Sequence, residues 1–197
     1  MTDELTIGVS GLAGSFSEEA ALRYAKHASI TAHLVYLIDM EGVLSALSQN
    51  KIDIGIFPVV NIHGGLVKPA FEAMGKYLFT PIDELWLDVN QCLLALPGMT
   101  LKQIQNIASH PQAFAQCKKY LNHKLMRVPH ITWIDTAKAA KDLSDGILSN
   151  TTAVIAPARA AEIYHLDILE KNIQDHNPNL TAFIIAKRYG EIIDVDN

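Results

Sequence analysis

The run Ser109-His110-Pro111-Gln112-Ala113-Phe114-Ala115-Gln116-Cys117 gathers a hydroxyl, an imidazole, two carboxamides and a thiol at a strand-to-helix turn. Residues 104–108 read as a short apolar strand, and Pro111 suits the first turn of a helix, where its missing N–H would have had no partner. Ser109 falls near the N-cap, where a hydroxyl can accept from a backbone N–H of the first turn. It is equally a candidate ligand contact, and the two roles are compatible. A helix opening here aims free N–H groups and the positive end of its dipole above the strand, so a carboxylate or phosphate is the first ligand to consider. Gln116, farther along the same helix, adds a carboxamide that both donates and accepts.

Composition removes several function classes. The formal net charge is −5, and the basic residues cluster only at Lys118-Lys119 and Lys187-Arg188, which gives nucleic acid no electrostatic footprint. The eight histidines never fall in HxH, HExxH or cysteine-paired spacing, so neither a metal nor another cofactor is expected. Cys92 and Cys117 are expected to be reduced thiols. No apolar run approaches the ~20 residues of a membrane span, and the acidic start Met1-Thr2-Asp3-Glu4 is unlike a signal peptide, so the expectation is a cytoplasmic protein that binds no membrane.

Stepping along the chain, strands and helices alternate. An apolar strand at 5–9 leads through Gly11 to Ser15 into a helix with Glu18 and Glu19 in its first turn. A strand at 34–37, a helix at 40–49 with Val43, Leu44 and Leu47 on one face, and a strand within 51–60 follow. The pattern then predicts a helix over 66–77, a break at Thr80-Pro81, a buried strand over 85–96 and a helix over 112–121. Further strands are predicted at 131–134, 153–156 and 183–186, with helices at 136–143 and 158–164. The class is α/β with mainly parallel sheets. The expected organisation is two lobes, 1–80 with 180–197 and 81–179, resembling periplasmic binding proteins with a ligand cleft between the lobes. The tail after Gly190 reads as loosely held.

Several segments together resemble the prephenate dehydratase family. They are Gly11 to Glu18 as the opening glycine turn with Ser15, Asp53 to Gly65 against a Val-Pro-x-Glu-Asn-Ser-x-x-Gly segment, and Ser109 to Cys117 against Ser-His-Pro-Gln and Gln-Cys. Asp135 to Ala140, Ala153 to Leu166, and Ile173 through Phe183 complete the order, the last against a Thr-Arg-Phe motif. The resemblance implies a lyase that converts prephenate to phenylpyruvate with loss of carbon dioxide and water. It implies Thr181 as proton donor, with Asn61, Ser109, Gln116, Ser15 and Phe183 as substrate contacts. It also implies a small dicarboxylate as the binding partner and a homodimer or higher homo-oligomer. Members commonly add a regulatory ACT domain and sometimes a chorismate mutase domain; neither is expected in this chain.

Departures from the motifs are concentrated. Val60-Asn61-Ile62 stands in place of Glu-Asn-Ser, Ala70 in place of a threonine, and Ala182 in place of the arginine of Thr-Arg-Phe. His63, Lys68 and Arg159 are the candidate replacement cations. Two other readings therefore stay open: decarboxylation of prephenate without dehydration, and a catalytically weak protein that binds a small dicarboxylate.

Overall fold

The computed structural model describes residues 4–190, so the reading of the tail after Gly190 lies outside the described residues. The chain opens as β1 (Leu5–Ser10), α1 (Phe16–His27), β2 (Ala32–Leu37), α2 (Met40–Ser48), β3 (Ile54–Asn61), β4 (Gly65–Leu66), α3 (Lys68–Met74) and β5 (Phe79–Asp88). It continues as β6 (Cys92–Ala95), a single 3-10 turn at Leu101–Gln103, β7 (Asn106–Ser109), α4 (Pro111–Gln116), α5 (Lys118–Lys124) and β8 (His130–Thr132). Then come α6 (Thr136–Ser144), β9 (Thr152–Ala156), α7 (Ala158–Tyr164), β10 (Asp167–Glu170) and β11 (Leu180–Arg188).

These elements form two units. The first comprises Phe16–Leu87 with the described parts of 1–12 and 180–197; the second comprises Asp88–Asn179 with Ala13–Ser15. The sheet of the first unit runs β2-β1-β3-β11-β5, with β4 hanging from β3. β1 is parallel to β2 and β3, whereas β11 returns antiparallel to β3. One set of core residues, with Val43, Leu44, Leu47 and Phe57, packs under α2 and α3; another, with Ile7, Val9, Ala20, Ala21 and Phe183, packs under α1. The second unit repeats the plan as β10-β6-β9-β7-β8, parallel from β9 through β7 to β8 and antiparallel through β6 to β10. α6 and α7 contribute to one of its cores, α4 and α5 to the other.

Local chemistry sets the ends of these elements. Glu18 and Glu19 sit in the first turn of α1 and Lys26 and His27 in its last, each favourable to the helix dipole. Asp39 and Asp135 cap α2 and α6, their carboxylates accepting from the backbone N–H of Gly42 and Lys138 at 2.8 Å each. Gly14 has a φ of +84°, and a Cβ there would lie 2.9 Å from the Ala160 backbone, so only glycine fits. Tyr164 donates to the Ala13 carbonyl at 2.7 Å and secures the same short segment to the second unit.

The structure corrects several boundaries. The strand expected over 85–96 is two strands separated by polar residues that include Asn90 and Gln91. The helix expected over 112–121 breaks at Cys117 into α4 and α5, and the one over 66–77 shortens to α3. Thr80-Pro81 is not a break, because Pro81 is exposed on an edge strand, where a missing N–H need not cost a ladder bond. β5 therefore carries the first unit through Leu87, and residues 81–87 leave the unit to which the sequence reading assigned them.

Candidate active site

In the first unit the chemistry gathers where β3 ends and β11 begins. Asn61 and Thr181 are register partners across these strands and are 2% and 7% exposed. The Asn61 amide donates to the Leu180 carbonyl at 3.1 Å and to Thr181 Oγ1 at 2.9 Å. Its Oδ1 accepts from the backbone N–H groups of His63 at 3.0 Å and Gly64 at 2.6 Å. Backbone groups have fixed polarity, so they settle which end of this amide is oxygen. The threonine hydroxyl is consequently an acceptor toward Asn61, so its own proton does not point at that amide. A hydroxyl held in that sense is arranged to give a proton away.

Three of the departures from the family motifs, Val60, Ala70 and Ala182, form one connected patch in this unit. Val60 faces Ala182 across the strands, and both pack with Ala70 in the core that contains Val43, Leu44 and Phe57. Where the family places a carboxylate, a threonine hydroxyl and a guanidinium, this chain packs apolar surface. Ile62, His63 and Lys68 are exposed, and Arg159 lies half-buried in the second unit. Phe183 is 1% exposed inside the other core of the first unit, among Ile7, Val9 and Leu87. Ala182, Ile184 and Ala186 face one core and Phe183 and Ile185 the other, the ordinary alternation of a strand. Phe183 is a core residue, and its expected role as a substrate contact is not carried further.

In the second unit Ser109 is the last residue of β7, fully buried, and its hydroxyl donates to the Ile155 carbonyl at 2.7 Å. It is not the helix cap: the strand runs on through its pairing with Thr132, and His110 takes the cap position. His110 Nδ1 accepts from the Gln112 N–H at 3.2 Å, so that nitrogen carries no proton. Burial holds the imidazole pKa below its ordinary value, against a smaller opposing pull from Asp135. α4 has six residues, too short for the anion-binding helix end that the sequence pattern suggested. Ser15 is buried beside Gly14 in the segment grouped with this unit. Cys92 and Cys117 are free and buried, and burial pushes both thiols up, away from nucleophilic use.

Gln116 closes α4, and its surroundings contain residues that the sequence reading missed. Its Oε1 accepts from Gln91 Nε2 at 3.0 Å, and its backbone carbonyl accepts from the Asp175 N–H at 2.6 Å. The Gln91 N–H donates to Gln174 Oε1 at 3.0 Å. Gln174 Nε2 in turn donates to Asn90 Oδ1 at 2.8 Å and Asn177 Oδ1 at 2.5 Å. Asn179 braces the same stretch through the Val89 carbonyl and the Asp88 carboxylate, at 3.0 and 2.8 Å. The one signal in the sequence was the polar pair Asn90-Gln91 interrupting an apolar run. Among the described residues no cluster of three or more His, Cys, Asp or Glu is arranged to hold a metal ion, and no helix is long and apolar enough to cross a membrane.

Comparison with known proteins places this geometry. The chain is 35% identical to arogenate dehydratase/prephenate dehydratase 1 of Arabidopsis thaliana over 94% of its own length and 45% of that protein's. It thus spans about half of the curated relative it matches. The prephenate dehydratase of Arthrobacter aurescens, solved with L-Phe, superposes with a TM-score of 0.84 at 23% identity, over 98% of this chain and 63% of that one. A methionine-binding lipoprotein of Bacillus subtilis superposes with a TM-score of 0.54 at 16% identity, over 95% and 84%, which places the fold among periplasmic-binding-protein-like structures. The sequence profile of the prephenate dehydratase family matches residues 7–190, and the chain belongs to that family.

Proposed function

We propose that this chain is the catalytic part of a prephenate dehydratase, with Thr181 as proton donor, Asn61 fixing the sense of its hydrogen bond, and Gln116 and Ser15 as substrate contacts carried by the second unit. The observation that carries the reading is the 2.9 Å bond from Asn61 Nδ2 to Thr181 Oγ1. In the reaction the bond from the ring to its carboxylate breaks, and the carboxylate leaves as carbon dioxide. The electron pair moves into the ring and expels the ring hydroxyl, which takes a proton and leaves as water. Aromatisation supplies the driving force. The protein has to orient two carboxylates and deliver one proton, and solvent restores the proton to the threonine. A threonine is a weak acid, so the proton moves late, and positioning carries much of the rate. Ser109, with its proton committed to Ile155, steadies the turn from β7 into α4.

The same proposal includes a cytoplasmic location and a homo-oligomeric state. The free cysteines accord with a reducing compartment. One second reading has an observation behind it. The patch of Val60, Ala70 and Ala182 removes polar groups near Thr181, and this favours a lyase that decarboxylates prephenate without expelling the hydroxyl.

The test is incubation of purified protein with prephenate, and separately with arogenate, the compound for which several relatives are named. Phenylpyruvate or phenylalanine supports the dehydratase, a non-aromatic decarboxylated product the second reading, and neither product leaves a small-dicarboxylate binder.

A further inference from the structure

We propose that Gln91 is a positioning residue that sets which end of the Gln116 carboxamide is presented to substrate; this rests on the reading of Gln116 as a substrate contact. Gln116 is the last residue of a six-residue helix and stands beside the break at Cys117, so the helix alone gives its side chain little constraint. Among the described residues its one side-chain hydrogen bond comes from Gln91 Nε2 and occupies Oε1. The free end is therefore the NH2 group, a donor suited to a carboxylate or carbonyl oxygen.

Gln91 is itself held on both sides. Its N–H donates to Gln174 Oε1, and its carbonyl accepts from the Ile173 N–H, each at 3.0 Å. Because the Gln91 N–H can only donate, Gln174 must turn its oxygen toward it and its NH2 toward Asn90 and Asn177. The backbone thus fixes the polarity of this stretch of the network.

The arrangement is costly in itself. Gln91 is 3% exposed, and its own Oε1 is buried with no hydrogen-bond partner among the described residues. A buried acceptor left unpaired costs stability, and an apolar side chain of the same shape avoids that cost. A residue kept for stability alone would not be built this way, whereas one kept to direct a neighbour would.

The experiment compares wild type, Gln91→Met and Gln91→Glu. Methionine keeps the shape and removes the donor. Glutamate keeps the shape but only accepts, so Gln116 must turn its NH2 inward and offer oxygen to the ligand. In wild type turning over prephenate, Gln91→Met is expected to raise KM about tenfold, with kcat within about twofold and the melting temperature no lower. Gln91→Glu is expected to raise KM further. A second readout needs no activity: the side-chain NH2 resonances of Gln116, assigned with Gln116→Leu. They should collapse toward free-glutamine positions in Gln91→Met, and one proton should move downfield in Gln91→Glu. Resonances unmoved in both variants, or a lowered melting temperature with unchanged KM, would overturn the proposal. An inactive wild type whose Gln116 resonances respond to both variants counts against the dehydratase reading and upholds the positioning role.

Discussion

The amides of the two units are used in opposite ways. In the first unit a single carboxamide, Asn61, bonds the Leu180 carbonyl and the His63 and Gly64 N–H groups at the end of an otherwise apolar strand and holds the Thr181 hydroxyl in one sense. In the second unit several carboxamides are bonded mainly to one another, Gln91 keeps a buried oxygen unpaired, and the end of the network is a donor on Gln116. The first arrangement suits delivery of a proton, where direction matters more than reach. The second suits recognition of oxygen atoms, where several donors must agree in orientation. The losses relative to the family motif fall in the same pattern. Val60, Ala70 and Ala182 pack in one apolar cluster, and Val60 and Ala182 are the chain neighbours of Asn61 and Thr181, so the changes gather in the first unit near the strand ends that carry this pair.

That contrast is broken most directly at Thr181. Thr181→Val keeps the shape of the side chain and removes the proton, and kcat is expected to fall by about 10²- to 10⁴-fold with KM nearly unchanged. Thr181→Ser should retain most of the activity. A loss expressed in KM alone would make Thr181 a contact, not a donor.

Asn61→Asp tests the sense of the hydrogen bond. The carboxylate still accepts from His63 and Gly64, but it can no longer donate, so the threonine turns its proton inward. A fall in kcat of roughly 10- to 100-fold is expected, with the largest effect above the pKa of the new carboxyl group. Equal activity in Asn61→Asp and wild type across pH would remove the directional argument.

The apolar patch gives the third test. Val60→Glu and Ala182→Arg, made singly, each put a charge into a packed cluster and are expected to cost about 3–5 kcal/mol in denaturant melts. Made together they form a cross-strand pair, and a coupling of about 0.5–3 kcal/mol should return. With Ile62→Ser added, phenylpyruvate formation should rise if the lost polar groups limit dehydration. A wild-type rate that the combined variant cannot improve would show that the patch is neutral to the chemistry.

The smallest expected effect is at His110. Its folded-state pKa lies below the ordinary value of 6.5, because burial disfavours the charged ring. The folded state thus binds fewer protons than the unfolded one as pH falls below that value, and its contribution to stability is full above it and lost on acidification. Protonation would also end the acceptance of the Gln112 N–H by Nδ1. Urea midpoints measured from pH 7.5 down to 5 should fall less steeply in His110→Gln than in wild type.

Much of this was legible in the sequence where the signal is local. A helix start at Asp135 or Thr136 and the span of α7 follow from residue type and spacing, and the structure decides for Asp135. Ser109 was placed one residue wrong, because a serine before His-Pro satisfies the cap pattern whether or not the strand has ended, and only the pairing with Thr132 decides. Pro81 misled for the same reason: its effect depends on whether its strand lies at a sheet edge. For Gln91 the only sign was the polar pair Asn90-Gln91 within an apolar run, and nothing marked Gln174. Their partners are 25 and 83 residues away, and no periodicity records such contacts. Nor does adjacency show that Val60, Ala70 and Ala182 share one cluster; that needed the register of β3 against β11.

β11 has a consequence for how the chain is made. It lies between β3 and β5 inside the first sheet, yet among the described strands it is synthesised last. By the time residue 179 has emerged, the second unit has all of its sequence, while the first sheet still has an empty lane flanked by β3 with Ile56 and Phe57. Synthesis therefore favours an order opposite to that of the sequence: the unit begun second is completed first, and the hydrogen-bonded pair of Asn61 and Thr181 is assembled only when Thr181 arrives beside Asn61. Until then β3 has an open edge along apolar faces, and this interval of synthesis is when the chain most needs protection from aggregation.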